Sequence, residues 1–309
     1  MTLAHPFPDI SAKALVRRDH DAMQQLRHAV SETGFFLLSD TDISGDTVRE
    51  TLALYEAFFK SPAASKQSVD MAVTGSNRGW GRPRSEQVDP EANPDYKEVF
   101  DCGVEVAADD PRADLSVYAP NLWPSQPAGF RDGVEDYFRQ ARGVAMGVLT
   151  AIEAAIDVDD SFFAGKFDKP MALLRGNYYP QRPADATERD FGIAAHTDYG
   201  CMTLLATDGQ PGLEVKLKDG TWAEASAQPG TFVINFGEML ERWSGGKIKA
   251  TLHRVVGGNH ERLSLPLFFN PNYDTNIAGP SETAPMSAGD YLTQRYNETY
   301  VHLQDSKAA

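Results

Sequence analysis

Residues 193–206 read Ile-Ala-Ala-His-Thr-Asp-Tyr-Gly-Cys-Met-Thr-Leu-Leu-Ala. His196 and Asp198 flank a single residue, Thr197. On an extended segment side chains alternate with period two, so both project to the same side and can bind one ion. The run Met202 to Ala206 that follows has the length and apolar character of a strand. A third ligand must arrive from a different strand, and His253 stands at the start of Arg254-Val255-Val256, an apolar stretch ending in Gly257-Gly258. Two imidazoles and one carboxylate are the set that leaves half of an iron's coordination sphere open. Arg262-Leu263-Ser264 then brings a cation and a nearby hydroxyl, a receptor for a carboxylate. Together these describe a redox metal held on one face with an anionic co-substrate anchored beside it, and so dioxygen activation.

Taken singly, each piece has an ordinary reading. A lone His-x-Asp is commonly a surface hydrogen-bonded pair, a lone histidine a satisfied core residue, and an arginine half of a weak surface ion pair. Their order, embedded in strand-like sequence, favours the metal site. Zinc in the same triad would permit hydrolysis but no oxygen chemistry.

Outward from this region, short apolar runs punctuated by Gly, Pro, Asp and Asn begin after Lys169. Leu173 to Tyr179, Met202 to Ala206, Leu213 to Lys216, Thr221 to Ala225, Thr231 to Phe236 and Arg262 to Phe269 read as strands, with a hairpin turn at Lys218-Asp219-Gly220. Such regular spacing suggests an antiparallel sandwich or barrel. The earlier chain is helical in pattern. Asp19 to Glu32 carries Met23, Leu26 and Val30 at helical spacing and ends at Gly34; Phe35 to Leu38 is a short buried strand. A helix from Ser44 or Gly45 to Phe59 precedes Pro62, and a long one covers Gly129 to Ile156. Gly75 to Gln87 and Asp89 to Asp95 read as loops, and Tyr291 to His302 as a closing helix before a frayed tail at Ser306 to Ala309. The expected division is 1–125 as an N-terminal region and 126–309 as long helix, β core (about 169–275) and C-terminal helix, in one compact unit.

Composition excludes several classes. A formal charge of -15 argues against nucleic acid, whose binding is driven by lysine and arginine, and against an acidic membrane surface. The longest apolar stretches, such as Val144 to Ile156, are too short and mixed to span a bilayer, and Met1 to Ile10 lacks the pattern of a secretory signal. A cytoplasmic protein is the default, with a small-molecule partner; the oligomeric state is open, a monomer sufficing. Cys102 and Cys201 fit neither a disulfide framework nor a CxxC motif, so both are expected as free thiols, with Cys201 packing beside the ligands rather than joining them.

At the level of motifs the chain resembles a known family. Asn177-Tyr178-Tyr179-Pro180, His196-Thr197-Asp198-Tyr199-Gly200, Pro211-Gly212-Leu213-Glu214-Val215, Asn235-Phe236-Gly237-Glu238, Trp243-Ser244-Gly245-Gly246, His253-Arg254-Val255 and Arg262-Leu263-Ser264 occur in the order seen in the isopenicillin N synthase-like branch of the Fe(II)/2-oxoglutarate-dependent dioxygenases. Gly34-Phe35-Phe36 and Lys97-Glu98-Val99-Phe100-Asp101 look like that branch's helical leader. The resemblance spans about residues 7 to 300. It implies a mixed α/β chain with a mainly β core, a double-stranded β-helix or jelly roll, flanked by helices and preceded by a helical N-terminal region.

The resemblance also implies roles. His196, Asp198 and His253 would hold Fe(II), and Arg262 with Ser264 would receive the distal carboxylate of 2-oxoglutarate, which Asn177 and Tyr179 also touch. With O2 as oxidant, a small metabolite would be oxidised, most often hydroxylated, with release of succinate and CO2. Relatives that dispense with 2-oxoglutarate, as oxidases or cyclases, keep the Arg-x-Ser pair, so that alternative stays open at this stage, as does a non-catalytic metal-binding sensor. Arg78, Arg82 and Arg84 sit among turn-forming residues of the Gly75 to Gln87 loop. They have two readings: stray charge on a solvated loop, or a lid whose arginines clamp a carboxylate on the substrate.

Overall fold

The short apolar runs fold into two facing sheets. A computed structural model describes residues 6–299 apart from positions 90, 157, 159, 160, 183 and 188 and the side chains of 297–299. Its strands are β1 Asp9–Ser11, β2 Phe35–Ser39, β3 Gly79–Gly81, β4 Glu98–Gly103, β5 Leu173–Tyr179, β6 Ile193–His196, β7 Met202–Thr207, β8 Leu213–Lys216, β9 Trp222–Glu224, β10 Phe232–Phe236, β11 His253–Val255 and β12 Arg262–Phe269. The larger sheet runs β1-β2-β10-β7-β12-β5-β4-β3 and the smaller β6-β11-β8-β9. β1 and β2 run parallel; the other paired strands are antiparallel.

Alternation along the strands builds two cores. Phe35 and Leu37 of β2, Leu205 of β7 and Val233 of β10 point inward and meet Leu213, Val215 and Val255 of the smaller sheet. This is the jelly-roll interior. Their neighbours Phe36, Leu38, Leu204 and Ile234 point the other way, onto helices. Both faces of these strands are therefore buried, which is why they read as continuous apolar runs rather than alternating ones.

The helices are α1 Ala12–Val16, α2 His20–His28, α3 Gly45–Phe59, α4 Ala63–Lys66, α5 Met71–Thr74, α6 Phe130–Ala155, α7 Glu238–Trp243 and α8 Ala288–Thr299. Val134, Phe138, Ala141, Ala145, Val148, Leu149 and Ile152 form the buried stripe of α6. Leu149 is fully enclosed, so Leu149→Ala should cost about 2–5 kcal/mol. α3 reaches β5 through a glycine: a Cβ on Gly176 would fall 2.2 Å from Tyr55 Cδ1, so no larger residue fits unless the tyrosine shifts. No helix of the described residues is long and apolar enough to cross a membrane.

Several boundaries differ from the sequence reading for local reasons. The Asp19 to Glu32 helix is α2 followed by a wider π-helical turn over Ala29–Thr33, closed by Gly34 at φ 66°. Asp19 caps α2 by accepting from the amides of Asp21 and Ala22. The Gly75 to Gln87 segment is not loop throughout, since β3 lies inside it and pairs with β4. β9 is shorter than Thr221 to Ala225, and α8 begins before Tyr291. Residues 300–302 of the expected closing helix, and the Ser306 to Ala309 tail, lie outside the described residues.

Candidate active site

Two strand ends and the link after one of them bring the candidate ligands together. His196 closes β6 and pairs directly with His253, the first residue of β11. Asp198 follows two residues on, and a ligand atom from each of the three lies within 4.8 Å of the others. Each histidine has its Nδ1 at a backbone carbonyl, His196 at Ala194 (2.8 Å) and His253 at Thr251 (3.0 Å). Nδ1 then donates, and Nε2 of each ring is left as a lone-pair ligand. These Nε2 atoms stand 3.7 Å and 3.6 Å from Asp198 Oδ1. The other oxygen, Oδ2, accepts from Thr203 Oγ1 and, at 2.7 Å, from Asn235 Nδ2. One carboxylate oxygen is thus fixed by the protein and one faces the histidines.

Protonation suits the same role. Burial, reinforced by the neighbouring His253, pushes His196 well below the ordinary histidine range. Burial opposes ionisation of Asp198, yet the two imidazoles, Thr203 and Asn235 outweigh it and lower its pKa. Neutral imidazole beside a charged carboxylate is the state that binds a divalent metal. The nitrogen and oxygen donor set fits Fe(II) by its chemistry.

A second constellation comes from strand register. In the β12–β5 pair Arg262 lies opposite Tyr179 and Ser264 opposite Asn177. All four are nearly inaccessible to solvent, and Arg262 lies over the Tyr179 ring at 5.1 Å. Burial pushes the Tyr179 hydroxyl up, so it remains a neutral donor. Arg262 Nε and Nη1 and Asn177 Oδ1 are buried with no hydrogen-bond partner among the described residues. Leaving such groups unpaired is costly, and a guanidinium most of all. An anionic carboxylate placed here would satisfy them, so the residues fit 2-oxoglutarate.

The triad and this anchor line one cavity of about 140 Å³. Its remaining wall holds Val88, Phe268, Leu292 and Tyr296 together with the charged Glu86, Lys97 and Arg175. Of the two readings of Arg78, Arg82 and Arg84, the carboxylate clamp finds no support in this geometry, since none of the three lines this cavity. Arg78 is buried behind it and donates to the carbonyls of Asn77 and Val117; Arg82 pairs with Asp70; Arg84 is exposed in a left-handed turn, φ 66°. The same loop instead contributes Glu86. Sequence reasoning gave no role to Thr203, Asn235 or Arg175, although an arginine inside the apolar Leu173 to Tyr179 run is a signal, since a buried cation must be paired. Cys102 and Cys201 are free and buried, and burial pushes both thiols up.

Comparison with known proteins defines the class. Residues 6–126 match the family model for the N-terminal region of non-haem dioxygenases described from morphine synthesis, and residues 170–271 match that of the 2OG-Fe(II) oxygenase superfamily. The chain belongs to the Fe(II)/2-oxoglutarate-dependent dioxygenases and is an oxidoreductase using Fe(II), 2-oxoglutarate and O2. Among its relatives, a 2-oxoglutarate-Fe(II) type oxidoreductase of Emericella nidulans is 31% identical over 303 residues, 92% of this chain and 86% of that one. Azadirone synthase of Melia azedarach is 31% identical over 311 residues, covering 94% and 92%. A full-length Neurospora crassa protein crystallised with alpha-ketoglutarate and thymine superposes with a TM-score of 0.82 at 28% identity, covering 96% of this chain and 98% of that one.

Proposed function

We propose that the chain oxidises, by hydroxylation, a small molecule held beside an iron carried by His196, Asp198 and His253, and that Arg262, Ser264, Asn177 and Tyr179 seat 2-oxoglutarate. The observation that carries this is the pair of partnerless buried nitrogens on Arg262, adjoining the triad in one cavity. When bound, the iron supplies dioxygen activation coupled to decarboxylation of 2-oxoglutarate to succinate and CO2. The residues do the rest. Arg262 offers the distal carboxylate a fork of two N–H donors, while the Ser264 and Tyr179 hydroxyls and the Asn177 amide fix its orientation. Thr203 and Asn235 hold Asp198 Oδ2, so Oδ1 is the oxygen that would be offered to a metal. The apolar wall excludes water from the reacting centre.

The co-substrate bound by the Neurospora crassa protein supports this reading. A carboxylate-bearing substrate loses its support once Arg78, Arg82 and Arg84 are placed away from the cavity. The test is anaerobic reconstitution with Fe(II), titration with 2-oxoglutarate, then succinate release scored across a substrate panel. Substrate oxidation that proceeds without 2-oxoglutarate would instead establish the oxidase or cyclase alternative.

A further inference from the structure

Strand β5 spans the cavity from one pole to the other. Arg175, Asn177 and Tyr179 alternate with Leu174, Gly176 and Tyr178, so the first three share the face that lines the cavity. Tyr179 and Asn177 lie at the anchor opposite Arg262 and Ser264. Arg175 lies four residues from Tyr179, about 13 Å at ~3.3 Å per residue, and there the neighbouring strand offers Asp101. The far pole is therefore a different chemical environment from the co-substrate anchor.

It is a closed chain of buried charges. Lys97 Nζ lies 2.8 Å from Asp95 Oδ2 and 2.8 Å from Glu86 Oε2. Arg175 Nη1 donates to Glu86 Oε2 at 3.0 Å, and its Nε and Nη2 donate to the two oxygens of Asp101 at 2.8 Å and 2.7 Å. All five side chains are nearly inaccessible, but only Glu86, Lys97 and Arg175 reach the cavity. Three carboxylates surround two cations, and each cation already lies between two carboxylates. Burial works against ionisation of Glu86, but Arg175 and Lys97 hold it down at about 2. Burial pushes Asp95 and Asp101 up, so one of them can carry a proton. With all five groups ionised they sum to one negative charge, and with one proton on Asp95 or Asp101 they are neutral; Arg78 also acts on Asp101 but does not line the cavity. Glu86 Oε2 is taken by Lys97 and Arg175, but Oε1, although 2.9 Å from Arg175 Nη2, accepts no hydrogen bond among the described residues; an N–H donor at this pole would satisfy it, whereas an anionic group would face it with both cations already held between carboxylates.

Resting on the reading above, we infer that the substrate pole selects a small nitrogenous compound that donates N–H to Glu86 and carries no carboxylate or other anionic group there. Glu86 is the specificity-determining residue, Arg175 and Lys97 fix its carboxylate, and Phe268, with Arg175 at 6.0 Å from its ring, closes the pocket beside Val88 and Leu292.

The test uses matched pairs that differ by one carboxylate: agmatine with arginine, histamine with histidine, and 2-pyrrolidinone with pyroglutamate. Each is titrated anaerobically into the full chain loaded with Fe(II) and 2-oxoglutarate, with binding read by ligand-observed NMR. At least one carboxylate-free member should bind, and at least tenfold more tightly than its acid. Glu86→Gln should narrow that ratio. Acids that bind as well as or better than their counterparts would overturn the inference, as would failure of every carboxylate-free member to bind. Titration with 2-oxoglutarate alone, before any probe is added, reports on the co-substrate anchor, so failure there sinks that reading separately.

Discussion

Thr197, the residue between the two ligands of the His-x-Asp motif, donates its hydroxyl to Glu238 Oε1 at 2.5 Å. Glu238 opens α7, and its other oxygen accepts from Tyr291 at 3.1 Å and Arg295 at 2.6 Å, both on α8. Arg295 also lies over the Tyr199 ring at 4.4 Å. One carboxylate thus ties the segment bearing the ligands to the helix whose Leu292 and Tyr296 wall the cavity. Glu238→Ala should release α8, raise the substrate KM and increase 2-oxoglutarate turnover uncoupled from substrate oxidation. Glu238 is about one-third exposed, so the stability cost is on the order of 1 kcal/mol, a Tm loss of about 2–4 °C. Unchanged coupling in this variant would mean that the link to α8 is incidental.

Removing the carboxylate of Asp198 takes away the charged ligand while Thr203 and Asn235 lose only a partner each. Asp198→Ala should lose bound iron and turnover yet keep a native circular dichroism spectrum. Full iron stoichiometry, measured by metal analysis after gel filtration, would show that the triad is misassigned.

Arg262→Leu deletes two buried donors that lack partners in the protein. A charge-assisted hydrogen bond is worth about 1.5–3 kcal/mol, so 2-oxoglutarate affinity should fall roughly 10- to 150-fold. Thermal shift gives an independent readout. 2-Oxoglutarate should raise the Tm of the wild-type chain by mass action and leave Arg262→Leu nearly unmoved; an equal shift in both proteins would refute the anchor.

The pH dependence follows from the buried triad. His196 titrates lower in the folded chain than its ordinary value of about 6.5, so the unfolded state binds more protons as pH falls through that value. Asp198 is also lowered, and its stabilisation is present above the ordinary carboxylate value and lost as pH falls below it. Metal-free protein should therefore lose stability as pH drops below about 6.5, while His196→Gln should flatten the slope nearest that pH. Iron affinity should stay level between about pH 7 and 8, because His196 is neutral across that range. Chemical denaturation at stepped pH, with and without the substitution, measures the first effect.

Much of the site was legible because its residues sit in short, ordered motifs. His196-Thr197-Asp198 needs only an extended backbone to aim two ligands, and Arg262-Leu263-Ser264 needs only alternation. The β core was likewise announced by apolar runs such as Leu173 to Tyr179. Register was not legible. Nothing local to Arg175 says that Asp101, 74 positions away, will take its guanidinium, or that Glu86, 89 positions away, will be drawn in beside it. The Gly75 to Gln87 arginines left two readings open for the same reason: charge in a loop can mark an anion site or be spent within the protein, and only the fold shows Asp70, 12 positions from Arg82, and the Val117 carbonyl, 39 from Arg78, taking two of them. Glu238 was visible in Asn235-Phe236-Gly237-Glu238, but its partners on α8 become apparent only in three dimensions.

The two poles of the cavity are encoded in different stretches of the chain. The triad and the four anchor residues all fall within 170–271, whereas Glu86, Val88 and Lys97 belong to 6–126 and Leu292 and Tyr296 follow the core. Arg175 and Phe268 come to the substrate pole from the core segment, as the splice between them. Such a layout lets a lineage exchange what it oxidises by mutating the N-terminal segment and the last helix, while the oxidising apparatus is inherited intact. Recombining the 6–126 segment between relatives is thus a more direct route to new selectivity than altering the strands that carry the iron site.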